Sequence, residues 1–329
     1  MNTVRIGMIR CDLHAYWYAA LFAAHDPIRF RDAQPGLHWL FYGGYWDRPE
    51  ELTAPTVSGL KLSKVWDADR KAAEEVAAVF NGGPIVCDSI EELCTDVDLV
   101  FVADCYTAGD DHLQLAAPSL ERGIPTFVDK PLSSSLQDAR MMVELAEKHK
   151  APLMSTSLLR MSPHADRFRS RFAEIAPVVQ GVVRGAVGKE GNLAGIFHTL
   201  SLAQGLFGDG VEYVQCMGTR PFEYLHLHYP NAGGEPFDVL AMNNYVVARH
   251  IYCGFRCDVY GQTGVIHSPF IDDFLFPHAG VRTLEVLKSM AATGTAAVSS
   301  TSMLELMAIV EAGRRAQAEG RQVYLASVQ

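Results

Sequence analysis

The chain lacks any run of basic residues and any RNA-binding aromatic motif. Its formal net charge is −10 over 329 residues, so it repels a polyanion and nucleic acid is excluded as a partner. No apolar run is long enough to cross a bilayer as a helix, and no membrane partner is expected. Met1-Asn2-Thr3-Val4-Arg5 enters a strand pattern without the charged and apolar regions of a signal peptide. The seven cysteines are an odd number and form no C-x-x-C pair. That excludes a disulfide framework and predicts reduced thiols in a cytoplasmic protein, with Cys253 and Cys257 as packing residues. Repeats and low-complexity segments are also missing. What is present is 49% hydrophobic and 20% charged, the balance of a globular chain with length for two domains.

The first half alternates apolar runs with amphipathic stretches. Residues 4–9, 62–66, 98–103, 124–129 and 152–157 read as strands, and 14–24, 70–80, 111–122 and 135–149 as helices. Asp88 is placed to cap a short helix carrying Glu91 and Glu92, and Gly123 to end the helix before it. This alternation predicts an α/β fold with a doubly wound parallel sheet over residues 1–131, to which 132–157 add a crossover helix and a sixth strand. Residues 27–59 break the rhythm. They carry an aromatic, glycine-bearing run at 38–46 and read as an insertion with a short hairpin, serving either as cover for the sheet edge or as a lid or oligomer contact.

Residues 158–329 have a different pattern. Helical segments at 163–173, 195–207 and 303–318 accompany strand-like runs at 178–187, 211–217, 237–247, 250–257, 259–266 and 323–325. Strands in succession with helices to one side predict an α+β domain with an open, mostly antiparallel sheet.

The chemistry-bearing residues gather at predicted strand ends. Lys130 closes the run Thr126-Phe127-Val128-Asp129 and precedes Pro131, which keeps it out of the helical region. A lysine at the carboxyl end of a strand between two helices stands where open α/β sheets hold ligands. After the first strand, a dinucleotide-binding turn reads G-x-G-x-x-G because bare backbone approaches the diphosphate. Here the run is Gly7-Met8-Ile9-Arg10-Cys11-Asp12-Leu13-His14-Ala15, which sets Arg10, Asp12 and Ala15 in the three glycine positions. Asp12 opposes a diphosphate or simply caps the helix. Arg10 either bridges to a phosphate or to Asp12. Asp67 ends the second strand and either holds an adenosine ribose or caps the next helix, while Arg70 leaves NADP open. Ser155, Thr156 and Ser157, followed by Arg160, are weaker candidates for a polyol or carboxylate. His226 and His228 share one face of an extended segment, with Asp272, Asp273 and His278 further on, but their loose spacing fits a surface strand and no metal site is assigned.

Val65-Trp66-Asp67-Ala68-Asp69-Arg70, His112 and Gly123-Ile124-Pro125-Thr126-Phe127-Val128-Asp129-Lys130-Pro131 together resemble the Gfo/Idh/MocA oxidoreductase family. The resemblance implies a Rossmann domain followed by an open-sheet α/β domain, and oxidation or reduction of a sugar or cyclitol hydroxyl with NAD or NADP. It implies cofactor contacts at Gly7, Arg10, Asp12, Asp67, Asp129 and Lys130. Asp129-Lys130-Pro131 corresponds to the family's E-K-P, with Lys130 on the reacting hydroxyl. Gly195-Ile196-Phe197-His198 looks like its second motif, with His198 as the acid/base residue. Two carboxylates common in that motif are replaced by Ala194 and Ser201. A homodimer or homotetramer through the C-terminal sheet follows from the same resemblance. The alternatives on the same fold are a ligand-binding or regulatory protein without cofactor, and a lyase or hydrolase.

Overall fold

Parallel strands covered on both faces are near-continuous apolar runs, and the inner strands of the first unit approach that rule, Arg5 of β1 and Lys61, Ser63 and Lys64 of β2 being the charged and polar exceptions beside Thr126: β1 (Val4–Ile9), β2 (Leu60–Trp66), β3 (Ile85–Val86), β4 (Leu99–Val102), β5 (Thr126–Val128) and β6 (Leu153–Met154). All four residues of β4 are buried. The computed structural model describes residues 3–43, 56–187, 193–218, 224–230, 235–244 and 253–328. They group into Met1–Thr156 with Gly280–Ser300, and Ser157–Ala279 with Thr301–Gln329.

In the first unit all strand pairs are parallel, in the order β3-β2-β1-β4-β5-β6. The direction of winding reverses between β1 and β4, so a crevice opens beyond their carboxyl ends. Helix α1 (Leu13–Ala19) starts there and is buried over Ala15, Tyr16, Trp17, Tyr18 and Ala19. Tyr18 packs on Phe101 of β4 at 4.9 Å, and Phe101 on Phe127 of β5 at 4.7 Å.

The other side of α1 is covered by the insertion. Residues 27–43 are helical: α2 (Pro27–Ala33), α3 (Pro35–His38) and a π-helical turn Trp39–Gly43. This corrects the hairpin expectation over those residues. Pro27 and Pro35 each sit in a first helical turn, where a missing N–H costs nothing, and Asp26 caps α2. Phe30 lies 6.1 Å from Tyr16, and Phe41 6.4 Å from Trp17. The described part of the insertion therefore covers α1; the rest of the aromatic run lies outside the described residues.

Helices α4 (Arg70–Val79), α5 (Ile90–Leu93), α6 (His112–Glu121) and α7 (Leu136–His149) complete the crossovers. Ser89, not Asp88, caps α5 by accepting from Glu92 N, while Asp88 pairs with Arg70. Gly123 follows α6 at φ 70°, as a helix stop should.

The second unit holds α8 (Pro163–Ser170), α9 (Leu193–Phe207) and strands β7 (Val178–Val187), β8 (Tyr213–Met217), β9 (Tyr224–Tyr229), β10 (Phe237–Asn244), β11 (Cys253–Gly261), β12 (Gly264–His267), β13 (Ile271–Asp272) and β14 (Val323–Tyr324). The sheet runs β12-β11-β7-β10-β9-β8-β14, with β13 beside β11, and only β10 and β7 pair in parallel. The break read between 257 and 259 is absent: β11 is continuous. Helix α10 (Phe276–Thr293) is an addition to the sequence reading, and α11 (Ser300–Glu319) matches the terminal helix. Among the described residues no helix is long and apolar enough to cross a membrane.

Candidate active site

Arg10 directly follows β1 and adopts a left-handed backbone, φ 67°. The turn thus keeps the conformation that glycine supplies at this position while carrying a large cation. Its guanidinium lies 3.1 Å from both Thr107 Oγ1 and Asp104 Oδ2, and 2.5 Å from each carboxylate oxygen of Asp111. It does not reach Asp12. The Asp12 carboxylate caps α1, accepting from His14 N at 2.9 Å and Ala15 N at 3.3 Å, and its other oxygen accepts from Cys105 N at 2.6 Å. Arg10 and Asp12 together tie the β1 turn to the loop after β4. Gly7, expected at the cofactor, instead lies inside β1, where a Cβ would sit 2.7 Å from Leu93 Cδ2; its role there is close packing.

Asp67 ends β2 and accepts from Cys11 N at 2.7 Å and Asp69 N at 2.8 Å. The cap of α4 is Asp69, so the capping reading of Asp67 is replaced. Arg70 is paired with Glu74 and Asp88.

At the ends of β4 and β5 the polar groups form one network. Asp104 is 1% exposed and accepts from Tyr106 N, Thr107 N, the Thr107 hydroxyl, His112 Nε2 and Arg10. Burial alone would raise its pKa. The hydrogen bonds from His112 and Thr107 and the His112 charge outweigh that and hold the carboxyl well below its usual range. Gly109, at φ 81°, lets the loop pass within reach of His112 and Ser133, where a Cβ would stand 3.0 Å from the imidazole. His112 Nδ1 is 2.9 Å from Pro131 O, which fixes the turn after Lys130. The Lys130 ammonium is 3.5 Å from Asp104 O, and its side chain is buried.

Asp129 accepts from Lys130 N at 2.8 Å, and its other oxygen meets His14 Nδ1. Burial opposes the charged form of both partners, but each partner's charge and their shared hydrogen bond prevail: His14 is raised and Asp129 is lowered. These interactions favour the ion-paired form of His14 and Asp129. Sequence reasoning passed over His14, Asp104, Thr107 and Asp111. The signal for Asp104 was available, because three apolar runs each end in aspartate: Val65-Trp66-Asp67, Val102-Ala103-Asp104 and Phe127-Val128-Asp129.

The second unit gathers the other candidates. His198, on α9, has Nδ1 2.7 Å from Ser157 Oγ, and its ring lies 5.9 Å from Phe255. Ser157 N donates to Ser201 Oγ at 3.3 Å. Arg160, read as a substrate contact, is tied to Gln204 at 2.5 Å and Ser302 at 2.9 Å, and joins α9 to α11. Ser155 and Thr156 belong to the first unit and are buried just after β6. The side chain of Ala194 lies outside the described residues. His226 and His228 on β9 each lie within 2.9 Å of Asp238 Oδ1. Among the described residues no group of three His, Cys, Asp or Glu is arranged to hold a metal.

A dinucleotide across the crevice of the first unit would meet Asp67 at its adenosine ribose and Lys130 near its nicotinamide ribose, both at strand ends suited to those contacts. Between them its diphosphate would meet Asp12, whose carboxylate already takes three backbone N–H groups. The residues fit the cofactor at both ends, with Asp12 competing in the middle.

Residues 43–157 match the model of the family GFO_IDH_MocA, described as an oxidoreductase family with an NAD-binding Rossmann fold. The chain is 30% identical over 134 residues to inositol 2-dehydrogenase 4 of Saccharopolyspora erythraea, covering 40% of this chain and only 36% of that protein. It is 26% identical over 236 residues to inositol 2-dehydrogenase of Cereibacter sphaeroides, covering 65% and 67%. An oxidoreductase from Agrobacterium radiobacter, solved with NAD+, L-tartaric acid and magnesium, shares the fold with a TM-score of 0.73 over the whole of both chains at 16% identity. With this fold and these relatives, the chain resembles the Gfo/Idh/MocA family, and residues 43–157 match the family's NAD-binding Rossmann model.

Proposed function

We propose that the chain is an NAD-dependent oxidoreductase acting on a hydroxyl or carbonyl group of a sugar, polyol or related compound. The observation that carries this reading is Lys130. It is a buried lysine at the carboxyl end of β5, beside the switch point, with its turn fixed by His112 and its ammonium next to Asp104 O. Asp67 would hold the adenosine ribose. Its charge disfavours a 2′-phosphate, and Arg70 is already paired with Glu74 and Asp88, which supports NAD over NADP. The bound nicotinamide supplies the hydride acceptor or donor. The protein's part is to stabilise negative charge developing on the substrate oxygen, through Lys130, and to move its proton. The family pattern assigns the proton to His198, whose Nδ1 is engaged by Ser157 Oγ.

The test is titration calorimetry of nucleotide-free protein with NAD(H) and NADP(H), then a polyol and sugar screen at the reduced-nicotinamide absorbance. NAD(H) binding that weakens in Asp67→Ala is expected, with turnover that falls about 10²–10³-fold in Lys130→Met. A folded protein that binds none of the four nucleotides, or a Lys130→Met variant with full turnover, rules the reading out. One observation favours a second reading, a ligand-binding protein without cofactor: Asp12 occupies the backbone donors that a diphosphate would use. Absence of nucleotide binding combined with binding of a small polyol would support it.

A further inference from the structure

We propose that Cys105 is a reactive thiol, a site of modification by hydroperoxides, whose thiolate is held by His14, with Asp129 as the positioning residue of the imidazole. This is independent of the oxidoreductase reading. Three elements bring the groups together. The loop after β4 carries Cys105, the first turn of α1 carries His14, and Asp129 directly follows β5. Nδ1 of the ring meets the Asp129 carboxylate, and the other side-chain hydrogen bond of the ring is to Cys105, which leaves Nε2 for the sulfur. Cys105 is also fixed through its backbone. Its N–H donates at 2.6 Å to Asp12, the cap of the same helix. A nucleophile within hydrogen-bond reach of an imidazole, itself oriented by a buried carboxylate, is the arrangement that activates a thiol.

Exposure singles out the same cysteine. Among the described cysteines, Cys11, Cys87, Cys94 and Cys257 are buried, and Cys105 and Cys216 are partly exposed. Cys216 lies on β8 with its sulfur 4.0 Å from Met217 O. The Asp129 side chain is 2% exposed and that of His14 18%, so the carboxylate end of the trio is closed and the thiol end is open. The groups facing the thiol and the ring are Asp129 and Lys130 after β5, Tyr18 one turn along α1 at 6.4 Å, Asp12 at its start, and Tyr106 next in the loop. Lys130 opposes an imidazolium and Asp12 a thiolate, while Asp129 favours the imidazolium. An imidazolium donating to sulfur favours the thiolate, the form that attacks electrophiles. With hydrogen peroxide the sulfur lone pair attacks one oxygen, an S–O bond forms and the O–O bond breaks. The departing hydroxide takes the imidazolium proton and leaves as water. The sulfur is oxidised to a sulfenic acid and the peroxide is reduced.

The test is site-resolved alkylation of the reduced, full-length chain by iodoacetamide, read by peptide mass spectrometry, with Cys216 as the internal control. At about pH 6.5 an ordinary thiol with a pKa of about 8.5 is only about 1% thiolate. Cys105 in the wild type is expected to react at least about tenfold faster than Cys216. His14→Gln should bring its rate down to that of Cys216, and Asp129→Asn should lower it in the same direction. Under dilute hydrogen peroxide with dimedone as the sulfenic acid trap, the first adduct is expected at Cys105. The comparison within the wild type needs no variant, so a failure of either variant to fold leaves it decisive. Alkylation of Cys105 no faster than that of Cys216 overturns the proposal. An undiminished rate in folded His14→Gln overturns it as well, and so does peroxide treatment that traps no sulfenic acid at Cys105.

Discussion

Replacing Asp12 separates its two effects, one on stability and one on ligand affinity. In Asp12→Ala, α1 loses its cap, which costs about 0.5–2 kcal/mol. The Cys105 N–H loses a charged acceptor at 2.6 Å, which costs about 1–3 kcal/mol if nothing replaces it. These sites share one carboxylate, so the sum is not strictly additive, and about 2–4 kcal/mol is expected. In thermal unfolding that corresponds to a drop in Tm of about 5–15 °C for a unit of this size. Asp12→Asn keeps an oxygen for the α1 amides and removes the charge, so it should cost less. Its main effect should be on dinucleotide binding. A unit charge about 5 Å from a phosphate is worth about 3 kcal/mol at an effective dielectric near 20, before screening by salt. Asp12→Asn is therefore expected to tighten NAD(H) binding at least about tenfold, equivalent to about 1.4 kcal/mol. Calorimetric titration at two salt concentrations measures it. If NAD(H) binds the Asn variant no better than the wild type, Asp12 does not compete with the diphosphate. If Asp12→Ala costs less than about 0.5 kcal/mol, its three hydrogen bonds carry little of the turn.

Two further outcomes follow from the same network. Asp104 and Asp129 have lowered pKa values in the folded protein, so their stabilisation is complete above the unfolded carboxyl value of about 3.9 and is lost as pH falls through the lower folded values. His14 is raised, so its contribution is complete below about 6.5 and is lost as pH rises through its folded value. Urea unfolding across pH should show Asp104→Asn flattening the acid side of the stability curve and His14→Gln the alkaline side; parallel curves for wild type and variants would refute this. Arg10→Gly relieves a left-handed backbone worth about 1–2 kcal/mol but deprives the buried Asp104 of a cation, a loss of about 3–5 kcal/mol for a buried pair. A net destabilisation of about 1–4 kcal/mol is expected in denaturant unfolding, and a stabilised variant would show that the ion pair contributes little.

The fold was legible because strand and helix alternate with short connections, and because β4 is apolar from end to end and β1 is broken only by Arg5. What escaped was small or masked by composition. Strand β3 has two residues, one of them the exposed Ile85. The aromatic content of residues 38–43 suggested strands, although the prolines at 27 and 35 and the cap at Asp26 already marked helix starts. The site was legible where a polar residue ends an apolar run, as at Asp67 and Asp129-Lys130. His14 was not, because the rest of α1 is buried from Ala15 to Ala19 and its imidazole reads as one more ring beside Tyr16, Trp17 and Tyr18. Its partner is 115 residues away in the chain, and no local pattern marks that pairing.

The altered turn also separates shape from charge. A glycine fingerprint serves two ends: it permits a left-handed backbone after the strand, and it leaves bare N–H groups for a diphosphate. Here the first survives, since Arg10 holds φ 67°. The second is replaced, since Asp12 answers the amides of His14, Ala15 and Cys105. A residue without structural purpose would not persist in a conformation that disfavours its side chain unless neighbours held it there, and Arg10 is held by Asp104, Asp111 and Thr107. The two changes depend on each other. Arg10 compensates the buried Asp104, whose loop presents Cys105 N to Asp12, and Asp12 fixes the helix that carries His14 to Asp129. The substitutions that erase the fingerprint from the sequence thus belong to the same network that positions Lys130, and a change at the turn should be felt at the lysine.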